Sequence, residues 1–98
     1  RDYATFSGIM LERYFRNMLI EQHRCTRIGS WWDRKGENEI DLIAENELED
    51  TATFYEVKRK AANIDLDVLK SKAEVFLHAT GKFHEYAISY SGLSMEDM

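Results

Sequence analysis

Glu39-Ile40-Asp41-Leu42-Ile43-Ala44-Glu45 and, a polar turn later, Thr53-Phe54-Tyr55-Glu56-Val57-Lys58-Arg59 are the two runs on which the fold depends. In the first, strand alternation places Ile40, Leu42 and Ala44 on one face and Glu39, Asp41 and Ile43 on the other. In the second it sets Tyr55 and Val57 against Phe54, Glu56 and Lys58. The connection through Asn46 to Asp50 is too short for a crossover, so the two strands pair antiparallel. Upstream, Thr26 to Asp33 carries Ile28, Trp31 and Trp32 and ends at a Lys35-Gly36-Glu37-Asn38 turn, which adds a third strand to the meander.

Helices flank this meander. From Ser7 to Arg24, Gly8, Leu11, Tyr14, Phe15, Met18 and Leu19 fall on one helical stripe, with Ser7 as the expected N-cap. Glu12 lies at the edge of that stripe, where the helix meets the core. A second helix is expected from Asp65 to Ala79, with Leu66, Leu69, Ala73, Phe76 and Leu77 on its buried face and Gly81 as its stop. A last strand from His84 to Ser91 alternates Tyr86, Ile88 and Tyr90 against Ala87 and Ser89. Strand–helix–strand connections favour a parallel neighbour, so this strand should join the sheet parallel. The expected class is α/β with a mixed sheet: a single domain over residues 1–98, ending in a frayed tail from Gly92 to Met98.

Composition narrows the function classes. The 98 residues are 44% hydrophobic and 12% aromatic, which suits a folded domain rather than a disordered one. Net charge is -5, against the basic face of a non-specific nucleic-acid binder. The charge is uneven: acids crowd Glu37 to Asp50, whereas Lys58, Arg59, Lys60, Lys70 and Lys72 form a basic stretch. The single Cys25 offers no internal disulfide and no CxxC pair, pointing to a reducing, cytoplasmic setting. No apolar run approaches the roughly 18 residues of a membrane span, and no signal-peptide pattern opens the chain, so no membrane partner is expected. The chain begins at Arg1 rather than Met, and it is expected to be a piece of a longer polypeptide.

The chemistry gathers on four residues. Glu56 and Lys58 are two apart on a strand and so share a face, which by itself describes many exposed strand faces with a charge pair outward. Asp41 is less ordinary, because Asp is a poor strand former and here it neighbours Ile43; an edge-strand charge is the alternative reading. If the second and third strands pair, Asp41 and Glu56 face each other across the sheet. Two close carboxylates repel unless a cation joins them. Mg²⁺ takes hard oxygen ligands and keeps several waters, which suits one Asp, one Glu and a backbone carbonyl. Lys58 supplies a point charge for a phosphate oxygen or for an attacking hydroxide. Glu39, two residues before Asp41, is an auxiliary candidate.

Glu12 on a first helix, Asp41 on a second strand and Glu56-Val57-Lys58 on a third resemble the PD-(D/E)xK nuclease-like superfamily, whose restriction-endonuclease-like αβββαβ core matches nearly the whole chain. Gly8-x-x-x-Glu12-x-x-Phe15, the Trp31-Trp32 strand, Glu39-Ile40-Asp41-Leu42 and Tyr55-Glu56-Val57-Lys58 resemble one branch: the C-terminal domain of AAA-type archaeal and bacterial ATPases of poorly known function. The resemblance implies that Asp41, Glu56 and the carbonyl of Val57 bind Mg²⁺ or Mn²⁺, that Lys58 positions water, and that Glu12 assists through water or a second metal. It also implies nucleic acid, DNA in particular, as partner, and an ATPase domain N-terminal to this one in the parent chain. The chain departs from the pattern where Ile40 stands in place of Pro before Asp41. The second helix offers Lys70 and Lys72 instead of Gln-x-x-x-Tyr.

Other residues carry weaker signals. His23, His78 and His84 lack ligand spacing and read as surface or structural residues. Of Trp31 and Trp32, alternation puts one in the core and leaves the other able to stack on a base. No GxxxxGK[ST] sequence is present, so ATP binding belongs elsewhere in the parent. Three readings follow: a metal-dependent phosphodiesterase, a catalytically inactive module that binds nucleic acid or regulates the ATPase, and a structural or dimerisation domain, a homo-oligomer whose interface Trp31, Trp32, Tyr86 and Tyr90 would line.

Overall fold

Strands joined by tight turns pair in the order in which the chain makes them. In the computed structural model, which describes residues 3–23, 25–36 and 38–97 and side chains from residue 10 onward, β1 spans Arg27–Trp32, β2 Glu39–Asn46, β3 Thr51–Val57 and β4 Ala87–Leu93. The sheet order is β1-β2-β3-β4. The first three strands are antiparallel, and β4 runs parallel to β3. Helix α1 (Tyr3–Glu21) precedes the sheet and α2 (Leu66–Thr80) bridges β3 and β4. This is the αβββαβ mixed-sheet order read from the sequence. No helix among the described residues is long and apolar enough to cross a membrane.

Local chemistry sets the boundaries. Helix α1 begins at Tyr3, because Ala4, Thr5 and Phe6 contain no breaker; Ser7 therefore lies inside the helix and is not its N-cap. It stops at Glu21, short of Arg24 (itself outside the described residues), where His23 takes a left-handed backbone at φ 54°. Asp33 and Asn38 close the β1–β2 turn: Asp33 N–H donates to the Asn38 carbonyl at 3.0 Å, and Asn38 Nδ2 donates to Asp33 Oδ2 at 2.9 Å. Glu37 of that turn lies outside the described residues. Asn46 Oδ1 accepts from the amides of Leu48 and Glu49, a side-chain turn that starts β3 at Thr51 rather than Thr53. Asp65 caps α2 by accepting from the amides of Asp67 and Val68, and Gly81 ends it at φ 67°.

Strand β4 starts at Ala87 instead of His84. Phe83 and Glu85 adopt left-handed backbone, and Tyr86 N–H closes a turn on the Phe83 carbonyl at 3.0 Å. The stretch from Gly92, expected as a loose tail, remains structured as far as Asp97. Gly92 and Leu93 pair with Glu56 and Val57. Met95–Asp97 forms a 3-10 turn, with Ser94 buried and its amide donating to Asp97 Oδ2. Met98 lies outside the described residues.

A helix covers each face of the sheet. Leu69, Ala73 and Phe76 of α2 pack on Ile40, Ile43 and Phe54, while Leu11, Phe15 and Leu19 of α1 pack on Leu42 and Val57. Each fully buried Leu or Phe contributes about 1.5–3 kcal/mol. Two predicted stripe members fall outside these cores, Tyr14 on α1 and Leu66 on α2 being exposed. Gly8 lies outside the residues whose side chains are described.

Strand β2 breaks the expected alternation. Gly29 lies opposite Ile43 and Trp31 opposite Ile40, so β2 advances one residue more than β1 across this step. That β-bulge turns Ile40 and Ile43 to the α2 side and Leu42 to the α1 side, where regular alternation would group Ile40 with Leu42. Asp41 is at the bulge.

Candidate functional site

The bulge determines what Asp41 can reach. Recorded β2–β3 pairing ends at Leu42–Tyr55, leaving a mouth between the strands beyond it. Asp41 turns its carboxylate into that mouth, and Oδ2 accepts from the Val57 amide at 2.8 Å. Partial burial raises the Asp41 carboxyl above its ordinary range. The Val57 bond and the Lys58 ammonium oppose the rise, and the charges of Glu39 and Glu56 add to it.

Glu12 enters from α1. It is one residue from Leu11 and three from Phe15, both buried, so the core edge shelters its carboxyl. Desolvation, followed by the charges of Asp41 and Glu39, pushes it up to about 7. Glu12, Arg13, Arg16, Ser30, Asp41 and Leu42 line a cleft of about 170 Å³ between α1 and the bulge. Arg16 follows Glu12 by one helical turn, a spacing that places both on one face.

Glu56 enters from the other side. It is 7% exposed, so the reading of an outward charge pair on an open strand face does not hold. It alternates with Phe54, a member of the α2 core, and its Oε2 accepts from the Asp65 amide at 2.8 Å. Lys58 is exposed and lies one residue past the end of β3, its own amide donating to the Leu93 carbonyl at 3.0 Å. The chain then folds back over β4. A Cβ built on Gly92, which pairs with Glu56, would come within 2.5 Å of Ile64 Cγ2. The absence of a side chain at residue 92 lets Ile64 lie there and presents the next amide, that of Asp65, to Glu56.

Asp41 is thus the hub. Glu12 lines the same cleft as Asp41, and Asp41 is bonded to the amide of Val57, which stands between Glu56 and Lys58 in the chain. The four predicted residues do not line up on one sheet face as simple alternation would have them. Glu12 comes from the α1 side, Glu56 from the α2 side, and different backbone amides hold Asp41 and Glu56. Among the described residues, no three His, Cys, Asp or Glu side chains are arranged to hold an ion. The residue types still suit a hard cation, because Asp41 and Glu56 are oxygen donors.

Sequence reasoning missed the bulge, although three apolar residues in succession, Leu42-Ile43-Ala44, defy strict alternation. It also passed over Arg13, the neighbour of Glu12, and Arg16, one helical turn further on, which line the same cleft. The three histidines are exposed, as expected. Of the four aromatics considered for an interface, Trp31, Tyr86 and Tyr90 are partly buried among other rings, and Trp32 alone is exposed.

Comparison with known proteins relates the chain to one family. A family model described as archaeal and bacterial proteins of unknown function, DUF234, matches residues 1–75. An uncharacterised protein of Methanocaldococcus jannaschii is 38% identical over 82 residues, covering 76% of this chain. The chain spans 18% of that protein's length. No solved structure matches the chain.

Proposed function

This chain belongs to the DUF234 family, and we propose that it is a nuclease-like domain hydrolysing phosphodiester bonds in nucleic acid with Mg²⁺ or Mn²⁺. The observation that supports this reading is that Glu12 and Asp41 line one cleft, while Asp41 is bonded to the amide of Val57, the residue between Glu56 and Lys58. Asp41 and Glu56, with the carbonyl of Val57, would hold the ion, and Glu12 would assist. When bound, the ion acts as a Lewis acid on the phosphate and lowers the pKa of its water. The chain's own groups do the rest. The Val57 amide orients the Asp41 carboxylate, Lys58 offers its ammonium to a phosphate oxygen, and the Glu12 carboxyl, lining the same cleft as Asp41, would exchange protons there. In the same reading the parent protein carries an ATPase domain N-terminal to this one, and the domain works in the cytoplasm.

The test is incubation of the full parent chain with single- and double-stranded DNA and RNA and Mg²⁺ or Mn²⁺. Cleavage is expected, and Asp41→Asn or Glu56→Gln should abolish it. Cleavage unchanged by both substitutions would remove the site from consideration.

One observation favours a second reading, a catalytically inactive module that binds nucleic acid or regulates the attached ATPase. Both acids already serve the fold, Asp41 by fastening β2 to Val57 and Glu56 by fastening Asp65. Calorimetry separates the two: saturable Mg²⁺ binding that Glu56→Gln removes supports the nuclease, and no binding supports the passive module.

A further inference from the structure

Two adjacent tryptophans end β1, and the strand sends them to opposite faces. Trp31 packs against the α2 core, edge-on to Phe76 with ring centroids 5.4 Å apart. Trp32 is 65% exposed. Leaving a large indole in water forfeits much of the burial energy an aromatic brings to a fold and keeps its π face open to a partner. Its neighbours belong to the site. Trp32 lies opposite Glu39 in the sheet register, and the Glu39 charge reaches both Glu12 and Asp41. Two residues back, on the same face of β1, Ser30 lines the cleft with Arg13, Arg16 and Asp41. Both arginines are exposed. An open π face, two guanidinium groups and a hydroxyl therefore border the acids on one side.

We propose that Trp32 is a stacking platform for an unpaired base, with Arg13 and Arg16 holding the adjoining phosphates at the mouth of the cleft. This deepens the proposed function and rests on it, by naming the substrate class as single-stranded or locally unpaired nucleic acid. A base within a duplex has both faces covered by its neighbours and has none to give to an indole; an unpaired base does. The pairing also suits a chain of net charge -5. Stacking holds the strand without a broad basic surface, and two phosphate contacts suffice for register. Such binding depends weakly on salt, its logarithmic slope for a single strand being about -1.4 for two phosphates.

The experiment uses the full parent chain in EDTA, so that binding is measured without cleavage. Fluorescence anisotropy follows a labelled oligothymidylate and a labelled hairpin duplex, with wild type, Trp32→Ala and Trp32→Phe. Trp32→Ala is expected to weaken oligothymidylate binding about ten-fold or more and to leave duplex binding unchanged, while Trp32→Phe retains most of the affinity. Photocrosslinking of an oligomer bearing 5-iodouridine should map to the peptide containing Trp32. Equal oligothymidylate affinity in wild type and Trp32→Ala, no oligomer binding at all, or crosslinks confined to other peptides would overturn the platform. Because the measurement needs no metal ion, a chain that never cleaves still reports on Trp32, and the cleavage assay judges the nuclease reading separately.

Discussion

The backbone amide of Asp65 donates to Glu56 Oε2 at 2.8 Å, so the residue that caps α2 is fastened to the end of β3 by a buried carboxylate. One side chain thereby joins the candidate site to the start of a helix. Its negative charge also sits at the helix N-terminus, where the helix dipole favours it.

Removing that acceptor separates its structural part from its chemical one. Glu56→Ala leaves the Asp65 amide without its partner and is expected to destabilise the fold by about 1–3 kcal/mol in urea denaturation. Glu56→Gln keeps an acceptor oxygen and should cost less, while losing the charge a divalent ion needs. A Gln variant as unstable as the Ala variant would show that the charge, and not the bond, holds α2 in place.

Gly92 is the second element of the same device. Gly92→Ala drives a methyl to within 2.5 Å of Ile64 Cγ2, and an overpacked contact of this kind costs about 1–3 kcal/mol. The displaced Ile64 carries Asp65 away from Glu56, so hydrogen exchange at the Asp65 amide should accelerate. Ile64→Ala in the same chain makes room and should recover part of the stability. No recovery would place the cost elsewhere.

The Glu12 carboxyl gives stability a pH dependence with a definite sign. Its folded value of about 7 lies above the ordinary 4.5, so the folded state binds the proton more tightly than the unfolded state does. The associated stability is complete below about pH 4.5 and is lost as pH rises through about 7. Asp41, also raised, acts in the same direction. Thermal melts between about pH 4 and about pH 8 should show this decline in wild type and a smaller one in Glu12→Gln. A decline of equal size in the variant would assign the proton to another group.

Asp41→Asn offers the clearest view of repulsion at the hub. Asn keeps an oxygen for the Val57 amide and removes a charge that raises the Glu12 carboxyl. At about pH 8, without divalent ions, the variant is expected to melt higher than wild type, the usual stability gain when a functional charge is neutralised. Added Mg²⁺ should raise the melting temperature of wild type and leave Asp41→Asn unchanged. A variant that melts lower without metal would show that the Val57 bond requires the full charge.

Much of the framework was legible in the chain. The strand-forming run at Glu39–Glu45, the short polar turns and the Asp65 and Gly81 caps of α2 are each set by residues close together in the chain, and such neighbours determine which element forms. The candidate acids were legible as residue types at plausible places. Their orientation was not. Glu56 looked like half of an outward charge pair because nothing near it in sequence reveals that Ile64 and Asp65 fold back over Gly92 to bury it.

Periodicity and turn chemistry set the element order, the antiparallel meander and the parallel last strand, since each needs only contacts between near neighbours or the length of a connection. Tertiary pairing alone decided which face Ile40 shows, which of Trp31 and Trp32 stays in water, and how Asp41 comes to lie between Glu12 and Glu56. Those outcomes depend on register. A single extra residue in β2 reverses the facing of the strand beyond it, and whether it is inserted is settled by the packing of α1 and α2 on opposite sides of the sheet.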